Sequence, residues 1–293
     1  MRHSGENWLE LFSIDQTSGK PTVPPRVMWG EGTVLNYRVK TIRSGTQIEV
    51  ETVPVWSTAP IGFPVKKSRE AINRANAENT RKHFERKMNT NFTDLDYRID
   101  LTYADDYLPD ALQAKLDVEN YLRRVKYACR KKGLPPPRYM GVSEGKREVS
   151  RQKRIHHHIV VSCDLARDEL EAIWKKGRVR AEHLQADRYG YTALARYMMK
   201  EPEGAKRYFC SRNLKEPNIT TSDTKLSIRK AERIALAVEE NAPEILQKLY
   251  KDCEFLDCKV KHSDFVAGVY IYLRLRKNNT KKRSEGKCSG GGK

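Results

Sequence analysis

Ile155-His156-His157-His158-Ile159-Val160-Val161-Ser162 sets three consecutive histidines inside a run of β-branched residues that reads as a β-strand. A strand sends alternate side chains to opposite faces. His156, His158, Val160 and Ser162 then share one face, while Ile155, His157, Ile159 and Val161 share the other. The second set is the apolar one and is expected to face the core. His156 and His158 project together from the opposite face, at a spacing suited to gripping one metal ion through two imidazoles. A partly buried, hydrogen-bonded histidine cluster fits this stretch as well.

On the N-terminal side, Arg138 to Ser143 reads as a strand that returns to the histidine strand through a very basic turn, making a hairpin. The turn carries Lys146, Arg147, Arg151, Lys153 and Arg154. Earlier still, Tyr97, Ile99, Leu101 and Tyr103 alternate with Arg98, Asp100 and Thr102, the pattern of a strand with one buried face. Between these strands Asp110 caps a helix with Val118, Leu122, Val125 and Cys129 on its inner side, ended by Gly133 and the prolines after it. On the C-terminal side come a helix from about Arg167 to Lys176, a short strand near Val179 and a helix from about Tyr189 to Lys200. The order β-α-ββ-α-β-α predicts an α+β fold, a mostly antiparallel central sheet flanked by helices.

The flanks add an N-terminal hairpin and a C-terminal helix-strand extension. Residues 1–36 read as a flexible arm. Residues 37–92 hold a hairpin from Tyr37 to Trp56, broken at Ser44-Gly45, and a basic helix over 66–92 that could lie on DNA or face solvent. Residues 93–215 contain the strand-helix core. Residues 216–276 carry a helix marked by Ile228, Ala231, Ile234, Ala235 and Val238 and strands Phe255–Val260 and Val266–Leu275, expected to pack on that core. In the last strand Tyr270, Tyr272, Arg274 and Arg276 share a face, solvated or set against nucleic acid. Residues 277–293 are basic and Gly-rich and read as disordered.

The chain of 293 residues has 56 Lys plus Arg against 38 Asp plus Glu, a net charge of +18 that points to a polyanionic partner, with nucleic acid first. No apolar run approaches the roughly 18 residues that span a bilayer, and no signal-peptide pattern is present, so a cytoplasmic protein without a membrane partner is expected. Six scattered cysteines suit a reducing compartment. No Gly-x-x-x-x-Gly-Lys-Ser/Thr pattern occurs, so a helicase would be a separate chain.

Tyr197 and Lys200 lie three apart on the helix after the histidine strand, hence on one face. A tyrosine can attack a phosphodiester and keep the bond energy in a phosphotyrosine, but a phenol with an ordinary pKa near 10 needs help. A divalent ion held by His156 and His158 and a lysine ammonium would supply it. A core tyrosine is the competing reading of Tyr197 taken alone.

The Leu-Thr-Tyr strand Leu101–Tyr103, the His-x-His strand Ile155–Val161 and the Tyr-x-x-Lys helix, in that order over residues 93–215, resemble the HUH-endonuclease superfamily of rolling-circle replication initiators. The likeness is greatest to replication-associated proteins of small single-stranded DNA phages and mobile elements, including the filamentous-phage gene II type. The resemblance implies site-specific nicking and rejoining of single-stranded or nicked origin DNA through a 5′-phosphotyrosine, with Mg²⁺ or Mn²⁺. It implies His156 and His158 as metal ligands, Tyr197 as nucleophile and Lys200 as its helper. A separate helicase and a host polymerase would be partners. Two-tyrosine relatives space their nucleophiles four apart, yet Ala193 stands four before Tyr197, so this looks like a single-tyrosine enzyme.

Relatives often carry a Glu where Glu144 stands, although its alternation with Met140 and Val142 argues for the buried side. The expectation is Glu144 as third ligand, redirected by a bulge or the sheet's twist, with Asp100 and Thr102 beside it orienting a histidine or a bound water. Lys146, Arg147, Arg151, Lys153, Arg154 and Arg196 are the expected DNA contacts. Two histidines and a carboxylate also fit a zinc hydrolase or an iron oxygenase, and the charge alone fits a non-enzymatic DNA-binding regulator.

Overall fold

The computed structural model describes residues 34–56, 68–145, 147–148, 151–152, 154–200, 207–239, 247, 250, 252–262 and 268–278. In chain order the elements begin with β1 (Val34–Ser44), β2 (Gln47–Trp56), α1 (Arg69–Asn91), β3 (Tyr97–Thr102) and α2 (Ala111–Lys131). Then follow β4 (Arg138–Glu144), the short β5 (Arg147–Glu148) and β6 (Arg151–Gln152), β7 (His156–Ser162), α3 (Arg167–Ile173) and β8 (Val179–His183). The remainder are α4 (Thr192–Met198), β9 (Phe209–Cys210), β10 (Asn218–Ser222), α5 (Ile228–Glu239), β11 (Cys253–His262) and β12 (Val269–Lys277).

The fold is α+β, with two five-stranded antiparallel sheets. In the sheet ordered β8-β3-β7-β4-β9, the histidine strand β7 is central. On one face Ile99, Leu101, Ile159 and Val161 pack against Val118, Leu122 and Val125 of α2 and Leu170 of α3. Asp110 accepts the Gln113 backbone N–H at 2.8 Å and so starts α2. The other face is buried too: Met140, Val142 and Val160 lie under Phe84 and Met88 of α1 and Ala195 and Met198 of α4. This corrects the expectation of a single core face. The second face was hidden in the sequence because α1 carries few apolar residues, among them Phe84 and Met88, between lysines and arginines.

The second sheet, β10-β1-β2-β12-β11, gives the N-terminal hairpin its partners: β2 pairs with β12, and β1 with β10. Its core joins Val39, Val50, Ile271 and Leu273 to Ala231, Ile234 and Ala235 of α5. The hairpin turns at Gly45, whose φ of 61° suits a two-residue connection between the paired Ser44 and Gln47. A Cβ there would stand 2.2 Å from the Asn89 carbonyl oxygen of α1, so the turn tip needs glycine for space as well.

Helix α1 lies between the two sheets, neither on DNA nor facing solvent alone. Arg86 donates to both Glu49 oxygens at 2.8 and 2.6 Å and to Glu51 at 3.0 Å, while Phe84 and Met88 enter the other sheet's core. Tyr272 also donates to Glu49, at 2.6 Å, and the Lys82 ammonium stands 5.4 Å over the Tyr272 ring. The β12 face read as solvated or DNA-binding therefore faces α1 at Tyr272, and Arg274 there pairs with Asp257.

Other boundaries shift. β1 begins at Val34, inside the segment read as a flexible arm; residues 1–33 and 279–293 lie outside the described residues. The helix expected over Tyr189–Lys200 shortens to Thr192–Met198 because Asp187 and Gly190 bond each other's backbones at 3.0 Å in a turn that holds Tyr189. The helix expected to reach Lys176 ends at Ile173, where the Trp174 indole turns inward to donate to the Thr102 carbonyl at 3.0 Å.

Arg86→Met should leave Glu49 and Glu51 buried without their guanidinium and lower stability by about 3–5 kcal/mol. Urea denaturation of the variant measures this, and a midpoint equal to that of the parent chain would show that the network carries no such load.

Candidate active site

The register of the central sheet assembles the site. In antiparallel pairing, directly opposed residues share a face. β7 sets His156 opposite Glu144 of β4 and Thr102 of β3, and His158 opposite Val142 and Asp100. Glu144, Asp100, Thr102 and both histidines therefore lie on one side. Glu144 needs no bulge to arrive there: Met140 and Val142 are buried on the histidine side, beneath α1 and α4.

The ligand atoms of Glu144, His156 and His158 lie within 4.8 Å of one another, a group able to hold a metal ion. Glu144 Oε2 stands 3.5 Å from His156 Nε2 and 3.4 Å from His158 Nε2. The other ring nitrogens have acceptors: His158 Nδ1 lies 2.5 Å from Asp100 Oδ1, and His156 Nδ1 lies 3.2 Å from the Arg154 carbonyl. With both Nδ1–H groups donating, both Nε2 lone pairs aim at the Glu144 carboxylate. That tautomer suits metal binding, with a carboxylate and a carbonyl orienting the rings from behind. His158 is 3% exposed, and its Nε2 has no hydrogen-bond partner among the described residues. A buried nitrogen left without a partner is costly unless something else satisfies it, as a cation would. Burial works against ionisation of Asp100, but the His158 hydrogen bond and the Arg98 charge outweigh it and hold the carboxyl below its ordinary value.

His157 points to the opposite face and is fully buried. Its Nδ1 meets Ser143 Oγ at 2.8 Å and its Nε2 meets the Tyr103 hydroxyl at 3.0 Å, a polar bridge within an apolar core.

Tyr197 reaches the site from α4, its ring edge-on to that of His158 with centroids 5.5 Å apart and the residue 52% exposed. The Arg98 guanidinium lies 5.3 Å over the same ring. Arg98 was missed in the sequence, though its alternation with Asp100 and Thr102 placed it on the histidine side. Lys200 falls beyond the end of α4 and is exposed, its backbone N–H bonded to the Tyr197 carbonyl at 3.3 Å. Tyr191 is held away by Asp94 at 2.8 Å, and Tyr189 lies under Arg274.

Among the basic residues, Arg154 pairs with Asp105, and Arg196 stands 3.7 Å from Glu85. Arg147 and Arg151 sit on the β5–β6 ribbon that extends the β4–β7 hairpin, and Lys146 and Lys153 lie outside the described residues. The Thr102 hydroxyl donates to the Arg178 carbonyl at 3.2 Å, toward β8.

Residues 96–202 match the family model of replication-associated proteins of the ORF2 and gene II protein type. No curated protein and no solved structure matches the chain. The matched segment runs from β3 through α4 and contains the three-residue metal group and Tyr197, and it supports a replication-initiation role in which DNA is the partner. No described helix is long and apolar enough to cross a membrane.

Burial, then the neighbouring His156, push the His157 pKa down from 6.5 to about 3. Above pH 6.5 the ring is neutral in both folded and unfolded chains; between pH 6.5 and 3 only the unfolded chain takes the proton. Stability should therefore fall with acidification across that window, His157 contributing up to about 1.4 kcal/mol per pH unit. Urea midpoints measured from pH 7 to 4 should fall less steeply for His157→Gln, and parallel curves would remove His157 as the cause.

Proposed function

We propose that the chain nicks and rejoins single-stranded DNA at a replication origin, through a 5′-phosphotyrosine on Tyr197, as a rolling-circle initiator. The observation that carries this reading is the convergence of the His156 and His158 Nε2 atoms on Glu144, with the Tyr197 ring set against His158, inside the matched segment. On this reading residues 93–215 form the nicking unit, framed by the sheet that residues 37–92 and 216–276 build together.

Glu144, His156 and His158 would hold a divalent cation, Mg²⁺ or Mn²⁺, which when bound polarises the scissile phosphate and offsets its charge. The Tyr197 hydroxyl oxygen attacks phosphorus, the bond to the 3′ oxygen breaks, and the phenolic proton ends on that departing oxygen. The bond energy stays in the phosphotyrosine, so a later 3′-hydroxyl can reverse the step and close the strand. The exposed Lys200 ammonium steadies the charge that develops during attack. Asp100 fixes the His158 ring through Nδ1, so the metal-facing nitrogen need not reorganise. The β5–β6 ribbon and its flanking lysines, with Arg154 and Arg196, hold the phosphate backbone, exchanging surface ion pairs that are worth little in water. The protein acts in the cytoplasm, beside a separate helicase and a host polymerase.

Incubation with circular single-stranded DNA and Mn²⁺ should yield DNA covalently joined to protein, and Tyr197→Phe should abolish the adduct while DNA affinity and fold persist. Cleaved ends without any adduct would favour a hydrolase instead, and an adduct on Tyr189 or Tyr191 would reassign the nucleophile.

Calorimetric titration with Mn²⁺ should show Glu144→Gln losing more affinity than Asp100→Asn, whose loss is expected near 10-fold, with His157→Ala affecting binding least. A larger loss in Asp100→Asn would exchange the roles of the two carboxylates.

A further inference from the structure

Tyr197 occupies a poorly restrained position for a group that must meet phosphorus in line. It sits next to the last residue of a seven-residue helix, and about half of its surface is exposed. A side chain so placed can exchange staggered rotamers unless something holds its ring. Two groups touch that ring: the edge of His158, and the guanidinium of Arg98.

Arg98 is itself anchored. It lies on β3 opposite Val160, in the best-buried stretch of the sheet. Its Nε donates to Asp100 Oδ1 at 3.2 Å and its Nη2 pairs with Asp100 Oδ2 at 2.8 Å, a two-point contact that fixes the guanidinium plane. The same carboxylate accepts from His158 Nδ1 through Oδ1. One aspartate thus orients a metal-facing histidine with one oxygen and, chiefly with the other, the cation that lies over the tyrosine. The side chain of Arg98 is 28% exposed, so the stacking is partly shielded from water, where cation–π attraction is stronger than at a fully open surface.

We propose that Arg98 is the positioning residue for Tyr197, clamping the phenol ring against His158 and coupling its orientation to the metal group through Asp100. The proposal rests on the nicking reading of the site and adds to it a residue from the first strand of the sheet. Arg98 acts through the ring, so its loss lowers the rate of the chemical step and leaves DNA and metal affinity nearly unchanged. Lysine in its place keeps the charge but cannot bond one carboxylate at two points and stack flat at the same time.

The test compares the parent chain with Arg98→Gln and Arg98→Lys. Single-turnover cleavage of a labelled oligonucleotide should slow by about 100-fold in the glutamine variant, the scale expected when a reacting group is misplaced by an ångström. The lysine variant should recover only a small part of that rate. Oligonucleotide affinity and calorimetric Mn²⁺ affinity should stay within about 2-fold of the parent, since tyrosine orientation is not a binding term. Relaxation of the ¹³C-labelled Tyr197 ring, its signals identified by their loss in Tyr197→Phe, should show a more mobile ring in both variants. A ring as ordered as in the parent chain overturns the proposal, as does full recovery by lysine or a rate loss matched by an equal loss of DNA affinity. Absence of any covalent adduct with the parent chain would sink the nicking reading, and ring mobility alone would then uphold or overturn the clamp.

Discussion

Strand register is the constraint on which the site depends, because side chains alternate and a slip of one residue would carry every group on β7 to the other face. Pairing of β7 with β4 on one side and β3 on the other brings Glu144, Asp100 and two histidines to one side of the sheet from three separate strands. Burial on both faces secures that register. Val160 and Met140 anchor the histidine side while Ile159 and Val161 anchor the other, so a slip would drive His157 and its polar bridge under α1 and expel apolar groups worth about 1.5–3 kcal/mol each. The cost of misregister thus falls on the core, and the site needs few interactions of its own to stay assembled.

Helix α1 supports this arrangement by an unusual division of labour. Its apolar residues enter the central sheet's core, and its Arg86 reaches the carboxylates of the other sheet. Burial raises the cost of ionising Glu49, yet the hydrogen bond and charge of Arg86 hold its carboxyl below the ordinary range. Such a network repays its desolvation only when every partner is in place. The helix is therefore tied to both sheets at once, and the lid it forms with α4 over the histidine face is fixed in position.

Much of this was legible in the sequence, and the gaps have physical causes. The period-two alternation of Ile155–Ser162 and of Tyr97–Tyr103 correctly placed His156, His158 and Asp100 on one side, because both strands carry a clear apolar set opposite. The same alternation in Arg138–Glu144 was misread, since Met140 and Val142 suggested the far face when both faces are buried. α1 could not be placed at all: its buried Arg86 and Lys87 look like solvent-facing residues until their partners Glu49, Glu51 and Glu216 are brought in from distant parts of the chain. Tyr272 and Arg274 misled for the same reason. Helix ends near Trp174 and Thr192 depended on an indole and a turn that meet other elements, which no local window contains.

Pairing of β2 with β12 has a consequence for how the molecule comes into being. The N-terminal hairpin emerges early in synthesis, but its central neighbour does not exist until Val269–Lys277 has been made. Contacts between segments so far apart raise the contact order and slow the closing step. Every strand of the central sheet, and so the whole metal group, leaves the ribosome before that step can occur. Until then β2 offers an unpaired edge to any neighbouring chain, and the carboxylates of Glu49 and Glu51, already engaged by α1, keep charge along that edge while it waits.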